Sequence, residues 1–153
     1  MVNFFREAGE LTFLLPLQME KLDLSLMQGT TLSAIGLITK VNEILASLDL
    51  KDGLLAFKAI NAKKEAVYPI FETYCRNLAI TILNLQTIFD METFVLGGGI
   101  SAQSILIEEV NRQFDKVHHE IDFIGKIIKR PKIVACHHNG TNLIGAAYFL
   151  KQG

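Results

Sequence analysis

Three consecutive glycines, Gly97, Gly98 and Gly99, follow the apolar run Phe94-Val95-Leu96 and precede Ile100-Ser101. A residue without a Cβ lets the backbone take positive φ and lets a ligand approach closely. Amides at the start of a following helix can face a phosphate or another anion. The pattern is neither the spaced dinucleotide fingerprint nor a Walker loop, which needs Gly-Lys-Ser/Thr. By itself the octamer reads equally well as a strand-to-helix turn that holds nothing.

The other groups capable of chemistry are scattered. A general base needs a placed carboxylate or imidazole. Glu108 and Glu109 share one amphipathic helix, and Asp115 and Asp122 lie in or beyond it, where solvated charge is the ordinary expectation. The histidines come in two adjacent pairs, His118-His119 and His137-His138. Adjacent side chains diverge on a helix and on a strand, so neither pair chelates a metal alone. They read as polar surface and strand-end residues. Cys75 and Cys136 sit in apolar contexts without metal-type spacing. Cys136 ends an apolar strand with no organised base beside it, which reads as core rather than nucleophile.

The elements that position these groups follow from periodicity. Gly9 to Leu15 reads as a strand stopped by Pro16, and Gln18 to Gly29 as irregular chain. Thr30 or Thr31 is the expected cap of the next helix. Leu37, Val41, Ile44, Leu45 and Leu48 recur at helical spacing, which predicts a helix over 36–48. A break at 49–53 precedes a short helix through Leu54 and Ile60. A long helix is expected over 65–89, with Pro69 in its first turn, where the missing N–H costs little. Its apolar stripe is Val67, Ile70, Phe71, Tyr74, Leu78, Ile82, Leu85 and Ile88, widened by Ala79, Leu83 and Phe89. A strand over 93–96 should enter the glycine turn, and Ser101 should cap a helix over 102–119. Ile105, Leu106, Val110, Phe114 and Val117 would face inward. A strand over 132–136 and a closing helix over 143–151 complete the chain. Strands alternating with helices predict an α/β layer fold, and a right-handed crossover makes the last two strands parallel.

Composition narrows the class. The 153 residues are half hydrophobic with a formal net charge of −1, which fits one folded domain spanning 1–153. No basic stripe suggests nucleic-acid binding. No apolar run reaches membrane-spanning length, and the start has no signal-peptide pattern. With only two cysteines, both in apolar contexts, a reduced, cytoplasmic compartment is the expectation.

Order along the chain then adds a resemblance. Tyr74, Leu78-Ala79, Asn84-Leu85 and Asp90 come first, then Val95-Leu96-Gly97-Gly98-Gly99-Ile100-Ser101, then Leu143-Ile144-Gly145-Ala146-Ala147 near the end. This succession resembles the C-terminal part of a sugar kinase of the ROK family (repressors, open reading frames and kinases). The likeness runs from about Ala8 to the end and is loose over 22–62. It implies the second lobe of a ribonuclease H-like, actin-like ATPase fold, truncated to about three strands with an open sheet edge. It implies ATP-dependent phosphorylation of a hexose or amino sugar, with Gly97, Gly98 and Gly99 at the nucleotide and Glu10 on sugar hydroxyls. The segment 137–141 would approach the nucleotide cleft, and Asp90 would close the long helix structurally.

The same resemblance shows what is missing. After Gly9-Glu10 the family's motif departs, with Phe13 where it leads to a histidine. The segment 20–30 holds no cysteine or histidine, so no zinc is expected. The family's catalytic aspartate and first phosphate turn precede the matched region, and no carboxylate here replaces the base. The chain is therefore expected to contain no catalytic residue and to be inactive alone. ATP or ADP would bind weakly, with magnesium engaged only in a complete kinase. A separate N-terminal lobe and a second copy of the chain are the implied partners. The alternative is a sugar-responsive regulatory or oligomerisation module of a ROK-type transcriptional regulator.

Overall fold

The structure, a computed structural model, describes residues 28–120 and 122–136 of the chain. The chain divides into two compact units, Met1–Asn77 and Leu78–Gly153, with the boundary inside one long helix.

The first unit is helical where described. Helices α1 (Gln28–Thr31), α2 (Ala34–Ile44) and α3 (Gly53–Asn61) lead into α4 (Tyr68–Phe89). Ser33, not Thr30 or Thr31, caps α2; its hydroxyl accepts from the Gly36 amide at 3.2 Å. Asp52 caps α3 by accepting from the Leu55 amide at 2.9 Å. These caps satisfy amides that lack a helical partner. The core gathers Leu37, Val41, Phe57, Ile60, Val67, Phe71 and Cys75, all buried. Phe57 meets Phe71 edge-on at 6.3 Å between ring centroids. Burying a ring such as Phe71 contributes about 1.5–3 kcal/mol. Buried Asn42 donates to the Leu50 and Asp52 carbonyls at 3.2 and 2.9 Å, tying down the α2–α3 loop.

Helix α2 stops at Ile44 rather than continuing to Leu48 as the spacing predicts. The Ala46 amide donates to Glu43 and the Ser47 amide to Asn42, with Ala46 at φ 52°. That pair of bonds is a Schellman ending. Helix α3 ends in the same way, with Lys63 at φ 48°. Neither ending carries the glycine that usually marks it.

The buried stripe of α4 also differs from expectation. Phe71, Cys75, Ala79, Ile82, Leu83 and Gln86 are buried, whereas Ile88 is 65% exposed. Cys75 and Gln86 occupy stripe positions that hydropathy alone did not assign. The Gln86 side chain is used at the helix end, where its carbonyl oxygen accepts from the Met91 amide at 3.0 Å. Asp90 takes the left-handed turn there, at φ 45°.

The second unit continues α4 into β1 (Thr93–Leu96), α5 (Ser104–Glu120), α6 (Asp122–Ile127) and β2 (Lys132–Ala135). The strands pair in parallel, Thr93 opposite Lys132 through Leu96 opposite Ala135. This agrees with the crossover argument and makes the unit α/β. Helix α5 packs on β2 and buries Ile105, Leu106, Val110, Phe114 and Val117, as its periodicity requires. The other sheet face is open, with Val95 and its partner Val134 exposed. The expected first strand over 9–15 and closing helix over 143–151 lie outside the described residues. Among the described residues, no helix is long and apolar enough to cross a membrane.

Candidate functional site

Parallel strands end on the same side of their sheet, and ligands of open α/β sheets bind beyond those carboxyl ends. Here β1 ends at Leu96 and β2 at Ala135, and Cys136 donates its amide to the Leu96 carbonyl at 2.8 Å. The glycine turn therefore leaves the sheet directly beside Cys136. Cys136 is half-buried and not in a disulfide.

All three glycines are exposed. Gly98 sits at φ +99°, a conformation costly for any residue with a Cβ. Gly97 and Gly99 lie outside the left-handed range, and a Cβ built on either meets nothing within 4 Å. Contacts with the described chain therefore do not account for glycine at 97 and 99.

The turn is closed from below. The Ser101 amide and hydroxyl both donate to the Gly98 carbonyl, at 3.1 and 2.7 Å. The Gln103 amide donates to Ile100 at 3.1 Å, and α5 begins at Ser104. Ser101 was expected to cap that helix. Two successive turns delay the helix by two residues, and the Ser101 hydroxyl goes back to Gly98 instead. The amides of Gly98, Gly99 and Ile100 have no acceptor among the described residues. Backbone N–H groups left open in a glycine-rich turn suit an anion.

Other groups singled out in the sequence are not drawn into this site. Asp90 lies before β1, at the amino ends of the strands, with Lys129 at 4.0 Å. Asp115 accepts from Arg130 at 2.7 Å, also near the start of β2. Glu109, expected to be solvated, is 3% exposed. Its carboxylate accepts from Arg112 Nε at 2.8 Å and Gln113 Nε2 at 2.7 Å. Its charge is thus compensated on α5 itself. Among the described residues no group of three or more His, Cys, Asp or Glu is placed to hold a metal. Glu10, the pair His137-His138 and the rest of 137–141 lie outside the described residues.

His118 also departs from expectation: it is buried, stacked on Phe114 at 5.6 Å. Its Nε2 lies 2.6 Å from the Ile128 carbonyl, which fixes Nε2 as the protonated nitrogen, and Nδ1 is buried without a hydrogen bond. In the first unit, a groove of about 880 Å³ runs along Gly36, Lys40, Ile44, Pro69, Thr73 and Tyr74. Sequence reasoning did not find it, because its lining comes from two helices whose partnership no local pattern encodes. The Tyr74 hydroxyl donates to the Leu32 carbonyl at 3.1 Å. Burial, and then the neighbouring Cys75, push the Tyr74 phenol up to about 12.

Among known proteins, the model of the ROK family matches residues 30–153. Neither a curated protein nor a solved structure gives a significant match.

Proposed function

The chain belongs to the ROK family, and from that premise we propose that it is the nucleotide-side, C-terminal lobe of a sugar kinase. The family contains sugar kinases and sugar-responsive regulators, and its kinases use ATP. The observation that carries the kinase reading is the turn Gly97–Gly99. It is exposed at the carboxyl ends of two parallel strands, with three amides lacking an acceptor among the described residues. These features fit the phosphates of ATP or ADP, which need close backbone approach and N–H donors. Phosphoryl transfer depends mainly on positioning and on charge neutralisation, and a base must take the sugar hydroxyl proton. Asp90 and Asp115, paired with Lys129 and Arg130 near the starts of the strands, do not supply that base beside the turn. In this reading the chain binds nucleotide weakly, supplies one wall of the cleft and does not turn over sugar alone. Magnesium belongs to the complete kinase, a separate N-terminal lobe supplies the rest of the cleft, and Glu10 contacts sugar there.

The test is an ADP titration of the intact chain and of Gly99→Val. Position 99 leaves room for a Cβ and lies outside the left-handed range, so the added side chain stands in the path of the ligand. Gly98 is a poorer choice, because its φ of +99° strains any replacement. ADP affinity should fall in Gly99→Val, and an unchanged affinity would falsify the assignment. The proposed lobe also associates with a second copy of the chain, as a homodimer or larger species. Light scattering should exceed the chain mass of 17.1 kDa. A monomer mass without concentration dependence would remove the dimer.

A further inference from the structure

Ser101 is 3% exposed at the root of an exposed glycine turn. Its hydroxyl and its amide both donate to the Gly98 carbonyl, at 2.7 and 3.1 Å. That oxygen is thus held toward Ser101 by two bonds. A peptide unit is planar and trans, so its C=O and the next N–H point in opposite directions. Holding the Gly98 carbonyl inward turns the Gly99 amide away from Ser101. Gly99 is exposed, and its amide has no acceptor among the described residues.

We propose that Ser101 is a positioning residue: its hydroxyl fixes the Gly98–Gly99 peptide so that the Gly99 amide meets a phosphate of the bound nucleotide. This rests on the nucleotide-binding reading and adds which end of the nucleotide the turn takes. Without the hydroxyl, one bond remains on the Gly98 carbonyl and the peptide is freer to rotate. Rotation would present an oxygen to the phosphate, which repels it. Glycine at both 98 and 99 leaves little steric resistance to such rotation. The nucleoside end of the ligand gains nothing from the orientation of this amide.

The experiment is a nitrogen–proton NMR titration of the intact chain with ADP and, separately, with adenosine. It compares the unsubstituted protein, Ser101→Ala and Ser101→Thr, each checked for its thermal midpoint. One neutral hydrogen bond corresponds to about a threefold to tenfold change in affinity. Ser101→Ala should weaken ADP by that factor and leave adenosine unchanged. The Gly99 amide shift seen with ADP should shrink in Ser101→Ala and return in Ser101→Thr, which keeps the hydroxyl. Equal loss of ADP and adenosine affinity would make Ser101 merely structural and overturn the inference. Unaltered ADP binding in Ser101→Ala overturns it while leaving the nucleotide reading intact. Absence of ADP binding by the unsubstituted chain overturns both.

Discussion

Asn111 on α5 donates its side-chain amide to the Ile133 carbonyl of β2 at 3.1 Å, joining helix to strand through a group that neither element supplies from its own backbone. The same amide donates to Ile107 at 2.8 Å, and its oxygen accepts from Arg130 at 2.9 Å. Arg130 also binds Asp115, but both side chains are substantially exposed, at 38% and 49%. An exposed ion pair contributes about 0–1 kcal/mol and weakens with salt. Leaving partly buried polar groups without partners costs about 1–3 kcal/mol. Asn111→Leu should therefore lower the unfolding midpoint in urea more than Asp115→Asn does. Only the Asp115→Asn effect should diminish at high salt. The reverse order would show that the ion pair, not Asn111, anchors β2.

Tyr74 gives a pH prediction whose sign is fixed by its environment. Burial and Cys75 raise its phenol to about 12 in the folded chain, against about 10 when unfolded. Below the unfolded value both states keep the proton, and the stability is at its full value. As pH rises from about 10 toward 12, the unfolded chain loses the proton first, so stability falls. Urea unfolding across that range should show the fall, and Tyr74→Phe should reduce it. Ultraviolet titration of the native protein should show one of the three tyrosines ionising late. Identical pH profiles for Tyr74→Phe and the parent would contradict this assignment.

The helix endings show how much of the fold the sequence makes legible. Periodicity located α3, the body of α5 and the four residues of β1, because each has a clear apolar pattern bounded by turn residues. It overran α2, because Ala46 gives no sign that it adopts φ 52°. It misplaced the start of α5, because Ser101 is a good capping residue whose hydroxyl is used in a turn that only the fold reveals. The glycine turn was visible because three glycines are a local signal. The burial of Glu109 and His118 was not, because it depends on what packs over their face of α5.

Ala46 also supplies a stabilising substitution. A left-handed residue with a Cβ costs about 1–2 kcal/mol relative to glycine in that conformation. Glycine returns part of this through the greater freedom of its unfolded chain, up to about 1 kcal/mol. Ala46→Gly should therefore raise stability by a few tenths to about 1 kcal/mol. Ala46 is exposed, so no buried contact is lost. Thermal unfolding of the two proteins measures the difference. A lower midpoint in Ala46→Gly would mean that the ending is not held in the left-handed form.

The carboxylates decide the catalytic prediction. Strand β1 runs from Thr93 to Leu96, so Asp90 and the glycine turn lie at its opposite ends. Four residues of strand span about 13 Å. Lys129, 4.0 Å from Asp90, likewise precedes β2. Asp115 lies eleven residues along α5 from its start at Ser104, about 16 Å at 1.5 Å per residue, and it binds Arg130 just before β2. A base must come within hydrogen-bond reach of the proton it removes, about 2.6–3.2 Å between heavy atoms. Neither aspartate lies beside the glycine turn. On the proposed reading, in which the base comes from another lobe, the purified chain should show no sugar-dependent ATP turnover. Asp90→Asn and Asp115→Asn should leave that background where it is, while Asp115→Asn slightly lowers stability. Sugar-dependent turnover by the pure chain, lost in either variant, would place the chemistry at the other end of the sheet and refute the site proposed at Gly97–Gly99.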